Sequence, residues 1–279
     1  MRSIGFIDFY LSEWHANNYP AWLSEVNEKN GTDFAVKYAW AEQSVSPRDG
    51  VTSEEWCAKF GVELCETLEE LCEKSDCLLI LAPSDPEKHL QYAKTALTYG
   101  KPTYIDKTFA PTLAEAQEIF RIGEEHGTKL FSTSALRYAA ELEKCGAPDS
   151  LLVTGGGSNL AEYLVHLVEI AVPLLNDPMV YARIEEVGEA RQCYVETVSG
   201  KVATLTWAPP LPYTVWASTA GQSSVYTALK SDFFKGLMAD ILRFYESGEP
   251  PVAPAQTLEV MRVREALLRA TECPGIWIE

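Results

Sequence analysis

Two sets of charged residues in this sequence are of types that can move protons. The first is Asp106-Lys107, which ends a short apolar run, Thr103–Ile105, after the turn Gly100-Lys101-Pro102. If that run is a buried strand, Lys107 lies at its carboxyl end, where open α/β sheets bind their ligands. An ammonium there can donate a proton or stabilise an oxyanion, and burial lowers its pKa. The alternative is a solvated lysine in a strand–helix loop, because most lysines are exposed.

The second set is Glu162, His166 and Glu169, spaced four and three residues apart in the otherwise apolar segment Asn159–Leu175. This spacing places the three side chains in one stripe of a helix. A carboxylate four residues from a histidine can hydrogen-bond the imidazole, fix its tautomer and raise its pKa, which suits general acid–base chemistry. The stripe fits the solvent-facing side of a helix equally well, and periodicity alone does not separate the two interpretations.

The elements that must position these residues fall into two patterns. Up to about residue 133, apolar runs such as Ile4–Phe9 and Cys77–Leu81 alternate with helical segments. This alternation predicts an α/β fold, a Rossmann-like doubly wound parallel sheet with helices on both faces. Later strand-like runs follow one another without helices between them, which predicts an α+β domain with a mostly antiparallel open sheet. We therefore predict one domain over residues 1–133 and a second over residues 134–279.

Composition limits the classes of partner. The 279 residues include 40 acidic and 23 basic ones, a net charge of −17, which phosphate backbones and anionic lipids repel. We therefore expect neither nucleic acid nor a membrane as a partner. The seven cysteines form no Cys-x-x-Cys motif, so we expect no metal site and free thiols in a cytoplasmic protein. The first apolar run is interrupted at Asp8, too early for a signal peptide.

Taken in order, these motifs resemble the Gfo/Idh/MocA oxidoreductases, the family of glucose–fructose oxidoreductase and inositol dehydrogenase. Thr108 stands where that family has proline in its Glu-Lys-Pro motif. The resemblance rests on Asp76–Pro83 with His89, Gly100–Pro102, Asp106-Lys107-Thr108, Arg137-Tyr138, and Glu162, His166 and Glu169 at the positions of the family's D-x-x-x-H-x-x-D helix.

The resemblance implies a function and a set of residues. It implies that the first domain binds NAD or NADP and that the second carries a sugar, polyol or related hydroxy substrate. Lys107 and His166 would act on the substrate hydroxyl while hydride passes to the nicotinamide, and Glu162 would orient His166. The open face of the C-terminal sheet would form a homodimer or homotetramer. The implied cofactor-binding residues are Asp8, Phe9, Tyr10, Leu11, Glu42, Ala82, Pro83, Ser84, His89, Asp106 and Lys107.

The first strand is followed by a departure from the family pattern. The three positions of the glycine fingerprint are filled by Asp8, Tyr10 and Glu13, although glycine lets the backbone approach a pyrophosphate closely. A carboxylate about 4 Å from a phosphate costs on the order of 4 kcal/mol, while a helix N-terminus returns about 0.3–1 kcal/mol. Repulsion therefore dominates if the carboxylates point at the ligand; alternatively, they cap the helix or turn away.

Three functions follow from these observations. The preferred one is an NAD(P)-dependent oxidoreductase of a sugar, polyol or related hydroxy compound. The second is an enzyme of the same fold in which Lys107 and His166 do acid–base chemistry without an exchangeable dinucleotide. The third, suggested by the altered glycine positions, is a non-catalytic member that binds a small ligand or regulates a partner subunit.

Overall fold

The chain forms two compact units in the computed structural model, which describes all residues, Met1–Glu279. The first unit comprises Met1–Thr133 and Phe234–Pro254, and the second comprises Ser134–Phe233 and Ala255–Glu279. The predicted domain 134–279 therefore includes one segment, Phe234–Pro254, that lies in the first unit. The chain passes from one unit to the other three times.

A six-stranded parallel sheet forms the centre of the first unit, in the order β3-β2-β1-β4-β5-β6. The strands are β1 (Arg2–Asp8), β2 (Phe34–Ala41), β3 (Glu63–Leu64), β4 (Cys77–Ile80), β5 (Thr103–Ile105) and β6 (Leu130–Phe131). Every residue of β4 is buried, as its uninterrupted apolar run predicts for a strand with helices on both faces. The predicted Rossmann-like doubly wound sheet is confirmed.

Five helices alternate with these strands. They are α1 (Trp14–Asn30), α2 (Ser53–Phe60), α3 (Leu68–Lys74), α4 (Glu87–Ala96) and α5 (Leu113–Glu125). Thr67 and Thr112 cap α3 and α5 through their side-chain oxygens, as the Thr-x-x-Glu patterns at these two positions predict. Thr52 caps α2, one residue before Ser53, where the sequence indicates the start of this helix.

A mixed sheet forms the centre of the second unit, in the order β12-β11-β7-β10-β9-β8. The strands are β7 (Ser150–Gly155), β8 (Met179–Val187), β9 (Ala190–Thr197), β10 (Val202–Trp207), β11 (Thr214–Ser218) and β12 (Val225–Ala228). Only the β7–β10 pair is parallel, so the predicted mostly antiparallel sheet is confirmed. Helix α6 (Leu160–Leu175) contributes its buried apolar residues to the same core as the inner face of this sheet.

The other face of this sheet is not covered by α6 and carries a row of large side chains. Register places Tyr226, Trp216, Leu152, Thr204 and Tyr194 side by side on β12, β11, β7, β10 and β9. Tyr226, Trp216 and Leu152 are exposed by 68%, 37% and 38%. We call this row the open face.

Two helices end the chain and belong to different units. Helix α7 (Phe233–Ser247) places Phe244 against Phe131, with 5.1 Å between ring centroids, and Tyr245 donates a hydrogen bond to the Leu78 carbonyl at 2.6 Å. Helix α8 (Pro254–Ala270) buries Val260, Val263 and Leu267 in the core of the second unit. None of the helices combines the length and apolar character that crossing a membrane requires.

Candidate functional site

Lys107 follows β5 at the carboxyl edge of the parallel sheet and is 8% exposed. Its ammonium Nζ donates to the carbonyl oxygen of Pro83, in the loop after β4, at 3.1 Å. An ammonium has three N–H donors, so this bond fixes the side chain and leaves donor capacity for a ligand. The structure favours a buried lysine at the ligand-binding edge over a solvated loop lysine. The Lys107–Thr108 peptide bond is cis.

Asp106, one residue earlier, is directed into the unit. Its Oδ2 contacts His15 Nδ1, and its Oδ1 accepts a hydrogen bond from the Tyr104 hydroxyl at 3.0 Å. Burial alone raises the pKa of this carboxyl, but the charge and hydrogen bond of His15 hold it below its ordinary value. Asp106 therefore pairs with His15 inside the unit, and its role as a cofactor ligand stays a prediction.

The Asp8 carboxyl ends β1 and is 1% exposed. Its Oδ1 accepts hydrogen bonds from the backbone N–H groups of Phe9 at 2.7 Å and Ala82 at 3.1 Å, whereas its Oδ2 has no hydrogen-bond partner. Burial, reinforced by the charge of Glu13, raises the pKa of Asp8 well above its ordinary value. Asp8 thus joins the ends of β1 and β4 as a buried carboxyl that favours its protonated form.

Glu13 caps the N-terminus of α1. One carboxylate oxygen accepts from the backbone N–H of His15 at 2.7 Å, and the other accepts from the N–H of Ala16. The side chain is buried, and burial raises its pKa. Glu13 therefore caps the helix, which is one of the outcomes considered above for the carboxylates at the glycine-fingerprint positions. We call the N–H groups of His15 and Ala16 the anion position of α1.

The segment after β2, residues 42–50, lies against the loop after β1. The backbone N–H of Gln43 donates to the Phe9 carbonyl at 2.8 Å. Arg48 donates through Nε to the Tyr10 hydroxyl at 2.9 Å and through Nη2 to the Ser84 hydroxyl at 3.3 Å. Leu11, the remaining predicted cofactor residue of this loop, is 1% exposed. Arg48 thus links the loops after β1 and β4.

Glu42, one of the predicted cofactor-binding residues, already has three donors. Lys88 Nζ lies 2.6 Å from its carboxylate, the Tyr92 hydroxyl 2.9 Å and the Gln91 amide 3.3 Å. The hydrogen bond from Lys88 is the main cause of the lowered pKa of Glu42. The carboxylate is therefore held to α4 by this chain's own side chains.

His89 holds two loops together from inside α4. Its Nε2 lies 2.6 Å from the Leu81 carbonyl and its Nδ1 lies 3.1 Å from the Phe109 carbonyl, and the ring is fully buried. Burial lowers its pKa. These contacts make His89 a positioning residue for the loop with Ala82 and Pro83, in which Ala82 adopts a left-handed φ of 48°.

The loop after β1 can be compared with what a dinucleotide needs. A pyrophosphate binds in Rossmann folds at the N-terminus of the first helix, over glycine backbone. Here the Glu13 carboxylate takes the hydrogen bonds of the anion position of α1, and Asp8 takes those of Phe9 and Ala82. With Glu13 as it lies, these residues do not fit a pyrophosphate at that helix N-terminus.

In the second unit, His166 lies on α6 and is half-buried. Its Nδ1 is 2.7 Å from the Ser134 hydroxyl, and the rings of Tyr163 and Tyr213 lie edge-on to it, with centroids at 5.6 and 6.0 Å. Glu162, one turn earlier, accepts a hydrogen bond from the Asn159 side chain at 3.1 Å. Ser134 therefore holds the imidazole from one nitrogen, and the orienting role of Glu162 stays a prediction.

The third residue of the stripe, Glu169, is buried in an ion pair. Arg137 Nη2 lies 2.7 Å from its Oε2, with the two side chains 12% and 4% exposed, respectively. Arg137 also donates to the Gln256 side chain at 2.8 Å. The stripe is therefore not a uniform solvent-facing side of the helix. Glu162 is half-buried beside the cap residue Asn159, whereas Glu169 is buried in an ion pair.

Three contacts of the candidate site residues were not predicted from the sequence: His15 with Asp106, Arg48 with Tyr10, and Ser134 with His166. The sequence predicts a helix from Tyr19 to Glu28, whereas α1 begins at Trp14 and contains Pro20, so His15 lay outside the predicted helix. A glutamate directly before a Trp-His-Ala run was the available signal, although Glu is not among the preferred caps. Arg48 and Ser134 carried no signal, since their roles depend on long-range contacts.

The raised pKa of Asp8 predicts a pH-dependent stability. Because the folded-state pKa lies above the ordinary value of 3.8, the folded protein holds more protons between these values, and its free energy of unfolding falls as pH rises through that range. The fall is about 1.4 kcal/mol per pH unit for one group. Asp8→Asn keeps an acceptor for Phe9 and Ala82 but does not titrate. Urea unfolding from about pH 5 to about pH 8 is expected to show a steeper decline for the wild type than for Asp8→Asn; parallel curves would contradict the assignment.

The fold and the residues at the strand ends define a class of protein, in which a Rossmann-like unit is linked in one chain to a unit built on a large open-faced sheet. Residues 35–134 match the family model of the Gfo/Idh/MocA oxidoreductases, described as an oxidoreductase family with an NAD-binding Rossmann fold. The matched segment agrees with the resemblance to the Gfo/Idh/MocA oxidoreductases that the sequence motifs indicate.

One curated relative and many solved structures are similar to this chain. An uncharacterised oxidoreductase of Escherichia coli, YhhX, is 29% identical over 91 residues, which are 33% of this chain and 26% of that protein. The matched segment thus spans about a quarter of the curated relative.

Two solved structures illustrate the likeness in fold. A myo-inositol dehydrogenase from Lactobacillus casei, in complex with NAD(H) and myo-inositol, has a TM-score of 0.82 at 14% identity, over 100% of this chain and 97% of its own. A UDP-N-acetylglucosamine 3-dehydrogenase from Acidithiobacillus ferrooxidans has a TM-score of 0.78 at 14% identity, over 96% and 97%. At such identities the likeness shows the fold alone.

Proposed function

We propose that the protein is an NAD(P)-linked oxidoreductase that acts on a hydroxyl group of a sugar, polyol or related compound. The observation that carries the proposal is Lys107, buried at the carboxyl end of β5 within the segment that matches the NAD-binding oxidoreductase model. The solved structures of like fold include dehydrogenases of myo-inositol and of UDP-N-acetylglucosamine, which supports the substrate class.

Each unit carries one residue that can transfer the proton of a substrate hydroxyl. In the first unit, the Lys107 ammonium is fixed by the Pro83 carbonyl, so it can hydrogen-bond a substrate oxygen and stabilise negative charge as its proton leaves. In the second unit, His166 is held at Nδ1 by Ser134, and an imidazole can take up or release a proton near neutral pH. We propose Lys107 and His166 as the catalytic pair, with Glu162 orienting the histidine.

The direct test of this function is a substrate panel. Purified protein is incubated with inositols, hexoses, other polyols and nucleotide sugars, with NAD⁺ and NADP⁺ in parallel, and nicotinamide reduction is followed by absorbance. The expected result is turnover on at least one substrate with one of the two cofactors. Absence of reduction at millimolar cofactor, together with absence of NADH and NADPH binding, would refute the proposal.

One observation favours a second candidate. Because Glu13 takes the hydrogen bonds of the anion position of α1, an enzyme of this fold that does elimination or isomerisation without an exchangeable dinucleotide also fits. The same substrate panel, analysed by mass spectrometry and NMR without added cofactor, separates the two. Product formed without cofactor and lost in Lys107→Ala would identify the second function.

We further propose that copies of this chain associate through the open face. Tyr226, Trp216 and Leu152 form an exposed apolar row there, of a kind that monomeric proteins rarely leave uncovered. The cytoplasmic location stays a prediction that rests on the pattern of cysteines.

Trp216→Glu tests this association. A charge at the centre of an apolar interface is costly to bury, so light scattering is expected to show a dimer or tetramer for the wild type and a smaller species for the variant. Val45→Glu, in the segment after β2 of the first unit and 47% exposed, is the control and should leave the mass unchanged. A monomeric wild type would refute the proposed oligomer.

A further inference from the structure

We infer that the Glu13 carboxylate is an internal occupant of the anion position of α1, and that a dinucleotide binds this protein only by displacing it. The inference rests on the proposed function and adds a residue that sets cofactor affinity. It starts from geometry: both oxygens of Glu13 are used, one by the His15 N–H at 2.7 Å and the other by the Ala16 N–H. These are the donors that a helix offers to a phosphate.

Burial and chain conformation make Glu13 a fixed occupant. Its side chain is 4% exposed, and its backbone is ordinary extended chain with φ −130° and ψ 171°. Trp14, the first residue of α1, packs edge-on against Trp22 and Phe234, with centroids at 5.5 and 5.0 Å. Aromatic packing therefore anchors the start of the helix. This position of the chain holds the Glu13 carboxylate against the backbone N–H groups of His15 and Ala16.

The Asp8 carboxyl likewise occupies backbone N–H groups, in the loops after β1 and β4. Asp8 Oδ1 takes the N–H groups of Phe9 and Ala82, which lie where β1 and β4 end. Further acidic and aromatic groups lie around this cluster, among them Glu13, Tyr19, Tyr104 and Asp106, while His15 contacts Asp106 and the Arg48 guanidinium lies on Tyr10 and Ser84. An incoming pyrophosphate therefore meets carboxyl groups where the family pattern has glycine, and it must compete for the same amides.

The test measures cofactor binding directly on the full chain. Titration calorimetry with NADH and with NADPH, and the thermal unfolding shift that each produces, compares the wild type with Glu13→Gly. Glycine suits the extended backbone at this cap and is tolerated at helix N-caps. We expect Glu13→Gly to bind one dinucleotide at least tenfold more tightly than the wild type.

Two further variants keep the test decisive. Glu13→Ser keeps a preferred cap that accepts one N–H and carries no charge, so it should also bind more tightly than the wild type, and it decides the question if Glu13→Gly does not fold. Thr67→Gly removes the cap of α3, another N-cap of the same unit, and should leave dinucleotide affinity unchanged. Equal or weaker binding in both Glu13 variants would overturn the inference.

The outcomes separate this inference from the proposed function. A gain in dinucleotide affinity without turnover on any substrate would support the role of Glu13 and count against the oxidoreductase. Turnover by the wild type, together with unchanged affinity in the Glu13 variants, would support the oxidoreductase and overturn the role of Glu13.

Discussion

Lys107→Ala is expected to lower kcat by about 10²–10⁴-fold on whichever substrate the panel identifies, the range in which positioned acid–base groups act. The reason is local: the ammonium is buried at the carboxyl end of β5 and aligned by the Pro83 carbonyl. Alanine removes the only part of the side chain that can hydrogen-bond a substrate oxygen. Steady-state kinetics over a range of pH, with KM and kcat resolved separately, is the measurement.

Lys94→Ala is the matched control for this result, because Lys94 is an exposed lysine on α4 of the same unit. Its kcat should equal that of the wild type. Lys107→Arg keeps the positive charge but cannot release its proton, so it should recover binding of substrate better than turnover. A Lys107→Ala enzyme with nearly unchanged kcat would show that the residue holds the Pro83 loop and takes no part in the reaction.

Glu169→Ala should strongly lower the free energy of unfolding of the second unit. It leaves the Arg137 guanidinium buried without the carboxylate that lies 2.7 Å away, and breaking a buried pair from one side costs about 3–5 kcal/mol. The free energy of unfolding from urea denaturation, followed by tryptophan fluorescence, measures the loss.

An exposed ion pair on another helix is the control. Arg121 and Glu118 form a bidentate contact on α5 with side chains 58% and 37% exposed, so Glu118→Ala should cost no more than about 1 kcal/mol. The double variant Arg137→Met/Glu169→Leu should recover most of the loss, because it removes both charges. A double variant as unstable as Glu169→Ala would contradict this explanation.

The sequence predicts the parallel sheet well because its signals are local. The continuous apolar run of β4, the threonine caps of α3 and α5, and the glycines Gly61 and Gly100 each act within a few residues of the chain. Helix α1 is the exception: glutamate, which is not among the preferred caps, stands at its N-cap, and Pro20 lies inside it. The Glu13 carboxylate and the packing of Trp14 against Phe234 hold the start of this helix, and the second of these contacts joins distant parts of the chain.

The candidate site is less predictable, because its contacts join distant parts of the chain. The spacing of Glu162, His166 and Glu169 indicates one stripe, but not that its last residue pairs with Arg137 or that Ser134 meets His166. Likewise, acidic residues at the glycine-fingerprint positions could point at a ligand or cap the helix. Only the folded structure shows that Glu13 caps α1. Periodicity therefore gives the face of a helix, while the identity of each partner comes from the folded structure.

The course of the chain between the two units has a practical consequence for isolating the first unit. A fragment that stops at Thr133 lacks α7, and it would leave Phe131 and the Leu78 carbonyl without Phe244 and Tyr245. A minimal piece for binding studies is therefore discontinuous in sequence: residues 1–133 fused by a flexible linker to residues 234–254. The segments of the two units alternate along the chain, so terminal truncation alone cannot yield either unit intact.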